Sequence, residues 1–174
     1  MAVGPERLAW EVGELACLFK LLGEDQLRIR VYPEWDALDV LRHVVWWHES
    51  FAAIAKAAAG GDKPVVPRGA LHEVNAQSVA DLKQAGVTAL IRRLNAAQRQ
   101  VEACAALPAG TMLDYRRGSR RYSYPERIDV SVGEMGEHRR DVLKAVLSDR
   151  SGDVASLCPL GPGQRRDTGR AGPH

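Results

Sequence analysis

The chain has 174 residues, 45% of them hydrophobic and 26% charged, with a formal net charge of +2. That is one domain's length, enough to bury a core without disulfide or metal staples. The balanced charge argues against nucleic acid and membrane surfaces as partners, and no run approaches the roughly 20 apolar residues that span a bilayer. Residues 1–7 lead into an amphipathic segment and lack the apolar stretch of a signal peptide. Cys17, Cys104 and Cys158 are scattered, with no Cys-x-x-Cys pair. They read as reduced thiols of a cytoplasmic protein, Cys17 and Cys104 on apolar helical faces.

Helical periodicity dominates. Leu8, Val12, Leu15, Phe19 and Leu22 form one stripe, and the first helix is expected to end near Gly23. Leu27, Ile29 and Val31 then alternate, consistent with a short extended connector. Pro33-Glu34-Trp35-Asp36 opens a second helix with Asp36 as N-cap, and Val40, Val44, Trp47, Phe51 and Ile54 carry its stripe to Gly60-Gly61. Residues 62–69 hold two prolines and form a loop. A long helical region spans 71–107, with Gly86 predicting a kink or break. The segment 114–124 is a basic, aromatic loop. Ser123 and Glu126 form a capping box for a fourth helix that runs to about Leu147. Beyond it, Gly, Pro and Arg predominate. The expected organisation is one domain over 1–148 and a disordered tail over 149–174. Four amphipathic helices without convincing strands predict an all-α four-helix bundle with long loops at one end, where sites tend to be built.

Glu134 and His138 stand at i,i+4, which puts both side chains on one helix face about 5–6 Å apart at Cβ. Val142 and Ala145 continue that face, so it turns inward. His43 lies beside the apolar stripe of the second helix, one turn before Trp47. Two facing helices can therefore bring His43, Glu134 and His138 to a common point. Three such ligands with open positions are the layout of a catalytic divalent-metal site, zinc or nickel first. Taken alone, the Glu–His pair is more often a solvated surface pair, and a lone histidine more often a packed one.

The run Pro33-Glu34-Trp35-Asp36-Ala37-Leu38-Asp39-Val40-Leu41-Arg42-His43-Val44 resembles the second-helix start of the DinB-like superfamily, which includes the N-terminal domain of mycothiol-dependent maleylpyruvate isomerases. The resemblance implies that His43 is a first metal ligand and that Glu134 and His138 match the isomerases' Glu-x-x-x-His pair. It also implies a low-molecular-weight thiol such as mycothiol as co-reactant. Trp46-Trp47-His48-Glu49-Ser50-Phe51, Leu71-His72-Glu73-Val74-Asn75, Tyr115-Arg116-Arg117-Gly118-Ser119-Arg120 and Tyr124-Pro125-Glu126 resemble the ClbS/DfsB-type bundles. That branch implies a metal-free hydrolase or sequestering self-protection protein.

Arg116, Arg117, Arg120, Arg121 and Arg127 surround Tyr115, Tyr122 and Tyr124. They read first as a solvated loop, and otherwise as an anion site. Trp46, three residues after His43, is expected to wall the pocket, with Tyr115, Arg116 and Tyr122 completing a substrate mouth. Trp47 is expected to pack in the core. His48 reads as a packing partner, and His72 and Asn75 as caps or a polar rim. No glycine-rich phosphate loop, serine elbow or Cys–His pair is present. The leading expectation is a metal-dependent enzyme acting on a small electrophilic molecule by thiol transfer, isomerisation or hydrolysis. The metal-free ClbS/DfsB type stands beside it, as does a non-catalytic homodimeric binding module using the aromatic-rich second helix.

Overall fold

A computed structural model describes residues 4–156, with side chains through residue 149. Helix α1 (Pro5–Leu21) starts on a proline, whose missing N–H is no loss in a first turn. It buries Leu8, Val12, Leu15, Ala16 and Phe19. Cys17 lies off that stripe and is exposed, against expectation, because it stands two residues from Phe19 and so nearly opposite it around the helix. Cys104 is buried as expected.

The connector is more structured than the alternation suggests. A short helix α2 (Glu24–Leu27) leads into β1 (Arg30–Tyr32), which turns at Pro33-Glu34 and pairs with β2 (Trp35–Asp36). The helix therefore opens at Ala37, and the residues before it form a hairpin. Asp36 still caps it, accepting the Asp39 N–H at 2.8 Å. Helix α3 (Ala37–Gly60) is the most buried element and stops at Gly61, whose φ of 75° lies in the left-handed region.

The expected break at Gly86 separates α4 (Leu71–Asp81) from α5 (Val87–Ala103). Residues 112–123 form a hairpin of β3 (Met112–Asp114) and β4 (Arg121–Ser123), with Leu113 opposite Tyr122. Its tip is fastened to the 62–69 loop: Arg117 N–H reaches the Pro67 carbonyl at 2.9 Å, and Arg116 Nη1 reaches that of Gly69 at 2.7 Å. The Ser123–Glu126 capping box then starts α6 (Tyr124–Ser156). This helix passes Leu147 without stopping. Residues 157–174, most of the expected tail, lie outside the described residues.

Four long helical segments make the bundle, α3 packing chiefly on α5 and α1 on α6, around one continuous core. The hairpins are the two long loops, and β1, β2 and β3 lean on the open end where α3 and α6 face each other. Among the described residues no helix is long and apolar enough to cross a membrane.

Candidate active site

His43 projects from α3 and His138 from α6. Their rings lie 5.2 Å apart at the centroids and nearly perpendicular, at 82°. Both line a small internal cavity of about 20 Å³, room for about one water, and the outer cleft of about 630 Å³ that opens from it. Glu134, one turn before His138, lines the same two spaces. The two facing helices thus set all three residues on the lining of the same two spaces.

The partners of each histidine fix its tautomer. Tyr32 donates its hydroxyl proton to Asp141 Oδ2 at 2.6 Å, and its oxygen stands 3.0 Å from His138 Nδ1. With that proton committed, His138 Nδ1–H must be the donor to Tyr32. The same logic holds across the cleft. Ser78 donates to the Asn75 carbonyl at 2.6 Å, so His43 Nδ1–H donates to Ser78 Oγ at 3.1 Å. Each imidazole is left with a free Nε2 lone pair, the arrangement in which outer partners prepare histidines for a metal or a proton. Burial, helped by the neighbouring His138, lowers the His43 pKa to about 3. Burial also lowers that of His138, against the opposing pull of Glu137 and Asp141. Both rings are neutral at pH 7.

Glu134 is held differently. Its carboxylate accepts from the Tyr115 hydroxyl at 3.3 Å and faces Arg127 Nη1 at 3.8 Å. With 42% of its side chain exposed, it sits at the neck between cavity and cleft. Crowding by the walls raises its pKa, opposed by the Arg127 guanidinium and the Tyr115 hydrogen bond. Among the described residues, no three His, Cys, Asp or Glu side chains are gathered closely enough to form a ready metal centre. The donor types suit a divalent ion, two Nε2 lone pairs and one carboxylate, but the carboxylate must exchange its Tyr115 and Arg127 contacts to join them.

Of the expected mouth residues, Tyr115 lines the cleft and stacks on Trp47, with ring centroids 4.6 Å apart and planes at 9°. Trp46 lines neither space. Its indole N–H donates to Asp81 at 2.9 Å, tying α3 to α4, and Trp35 provides the indole wall, packed on His43 at 4.7 Å. Tyr122 meets Tyr115 edge-on and is not a lining residue, and Arg116 is occupied by the Gly69 carbonyl. Trp47 is buried as expected but lines the inner cavity rather than joining the core cluster, and its N–H donates to Asn75 at 3.1 Å. His72 and Asn75 line the cleft, so the polar-rim reading holds for both. The cap of α4 is made by Glu73, which accepts the Ala70 N–H.

Arg127 departs most from expectation. It is 3% exposed, not part of a solvated loop. Its guanidinium lies 5.0 Å from the Phe51 ring centre and 4.5 Å from that of Tyr115, and bonds Ser131 Oγ at 3.1 Å. Position 127 falls on the inward face of α6, one turn before Ser131, so helical phase could have separated it from the hairpin arginines. His48 lines the inner cavity but faces its N–H away. Gln98 gives its amide N–H to Glu102, so its carbonyl oxygen receives His48 Nε2–H at 3.1 Å. That bond ties α3 to α5, the helix-packing role expected of His48, while its buried Nδ1 has no hydrogen-bond partner among the described residues.

The four-helix bundle is of the DinB-like kind. A family model for the mycothiol maleylpyruvate isomerase N-terminal domain matches residues 8–142, and the chain belongs to that family. Among solved structures, the crystal structure of the mycothiol-dependent maleylpyruvate isomerase superposes with a TM-score of 0.64 at 12% identity. The match covers 79% of this chain and 58% of that one, so this chain spans little more than half of that enzyme and shares its fold. No curated protein sequence gives a significant match.

Proposed function

We propose that the protein is a metal-dependent enzyme that joins a low-molecular-weight thiol to, or isomerises through it, a small electrophilic molecule. The observation that carries this reading is the paired Nδ1–H tautomers of His43 and His138, which leave two Nε2 lone pairs available beside a carboxylate. His43, Glu134 and His138 would hold the ion. When bound, zinc or nickel supplies Lewis acidity that makes a thiol or water nucleophilic at neutral pH. Tyr32 and Ser78 orient the two imidazoles. Arg127 and Tyr115 hold Glu134 until it turns to the ion, and Trp35 and Tyr115 wall the substrate space. Addition of the thiol across a carbonyl-conjugated C=C bond exchanges the π bond for a C–S bond, the π electrons and the thiol proton passing to the enolate end. Rotation about the resulting single bond, then C–S cleavage with return of the proton to the sulfur, restores the C=C bond in the isomerised product and frees the thiol. Mycothiol is the thiol suggested by the family and by the isomerase of the same fold.

A panel of electrophiles assayed with mycothiol or a simpler thiol tests the proposal. Turnover is expected to vanish on chelation and return with zinc or nickel. A metal-free hydrolase or sequestering protein is the second reading, favoured by the absence of three gathered donors among the described residues. Turnover that survives chelation and Glu134→Ala selects it instead.

A further inference from the structure

The outer cleft has a charge that the chain as a whole does not. Glu34, Glu134 and Glu137 edge it, and Tyr32, Trp35 and Tyr115 form its walls. No Lys or Arg among the described residues lines it. The arginines close in sequence to Tyr115 are engaged elsewhere. Arg116 holds the Gly69 carbonyl, Arg120 pairs with Glu126 at 2.7 Å, and Arg121 reaches the Met112 carbonyl at 2.7 Å. Arg117 lines a separate surface groove with Lys63 and Arg68. Arg127 lies in the inner cavity, where Glu134, Ser131 and two aromatic rings already occupy it. His43, His72 and His138 are the other ionisable side chains on its lining.

From this distribution, and resting on the reading of the cleft as the active site, we infer that its substrate is an uncharged or cationic aromatic molecule and that carboxylate-bearing molecules are disfavoured. Aromatic walls offer edge and offset-stacked contacts to a ring and attract a cation over their faces. Carboxylates at the edge repel an anion and draw a cation. A divalent ion at the histidines, with Arg127 against Glu134, would set three positive charges against the three edge carboxylates and Asp141 behind Tyr32, so a net negative charge would remain. The substrate class therefore differs from maleylpyruvate, a dicarboxylate.

Matched probes test this on the full chain at low ionic strength: benzylammonium, benzyl alcohol, benzoate and maleate, titrated by tryptophan fluorescence. Each is measured on chelator-treated protein and again after addition of zinc. Benzyl alcohol and benzylammonium are expected to bind at least about tenfold tighter than benzoate, with maleate weaker still. The exposed pair Glu34→Gln and Glu137→Gln together should narrow the benzylammonium–benzoate gap to under about threefold. The inference is overturned if no probe binds, if benzoate or maleate binds as tightly as benzyl alcohol in either form, or if the double variant leaves the gap unchanged. Zinc uptake by the same samples reports on the proposed metal site separately. Uptake without the charge order rejects only this inference, and the charge order without uptake rejects only the metal site.

Discussion

The hydroxyl protons of Tyr32 and Ser78 are committed to Asp141 and to the Asn75 carbonyl, and the histidine tautomers follow from that commitment. Tyr32→Phe removes the acceptor for His138 Nδ1–H while preserving the ring. Zinc affinity should fall about tenfold or more, the usual cost of losing an outer partner of a metal-bound histidine. Titration calorimetry measures it, and the His138 nitrogen resonances should show the tautomer mixing in the metal-free variant. None of these partners could be read from spacing, since Tyr32 and Asp141 are 109 positions apart and Ser78 lies 35 from His43. Helical phase is a local property, so spacing could set His43, Glu134 and His138 on inward faces, and all three line the cleft. Arg127 was misplaced because its neighbours in sequence are solvated arginines while its helix phase points inward.

His48 supplies a pH dependence that is separate from chemistry. Burial lowers its pKa to about 4, against an ordinary 6.5, so folding favours the neutral ring. Its contribution is therefore complete above about pH 6.5 and is lost as pH falls toward 4, on the order of 3 kcal/mol over that range. Denaturant melts at pH 7, 5.5 and 4.5 should show this acid loss. His48→Asn should flatten its slope in part, since His43 is depressed in the same direction.

At the scale of elements, caps and glycines were read correctly because their chemistry is local. Asp36, Gly61, Gly86 and Ser123 each mark a boundary where the sequence placed one. Asp36→Ala should cost about 1 kcal/mol in chemical denaturation, the usual loss of a side-chain cap. Its weaker contact with Arg28, 3.4 Å at the surface, adds little. The hairpins escaped because two or three paired residues carry almost no periodicity. The pairing at 30–36 and 112–123 depends on docking against α3 and α6 rather than on intrinsic strand preference. Those hairpins deliver Tyr32, Trp35 and Tyr115 to the cleft, so the least legible elements build the walls of the most legible site.

At the scale of the molecule, the bundle gives a rigid frame on which α3 and α6 hold the histidines at a fixed separation. The described residues hold one continuous core whose buried hydrophobic side chains run from Leu8 to Val146, and the expected tail beyond it is rich in Gly, Pro and Arg. Truncation after Ser156 should then leave the thermal midpoint within about 1 °C of the full chain, measured by calorimetry. His43, Glu134 and His138 are proposed to hold one divalent ion. Elemental analysis of never-chelated protein, paired with zinc- and nickel-dependent thermal shifts, tests it most directly. About one equivalent of metal is expected, with a rise in melting temperature that His43→Ala and His138→Ala each abolish. Absence of metal, together with no thermal shift or with a shift that survives both substitutions, would contradict it.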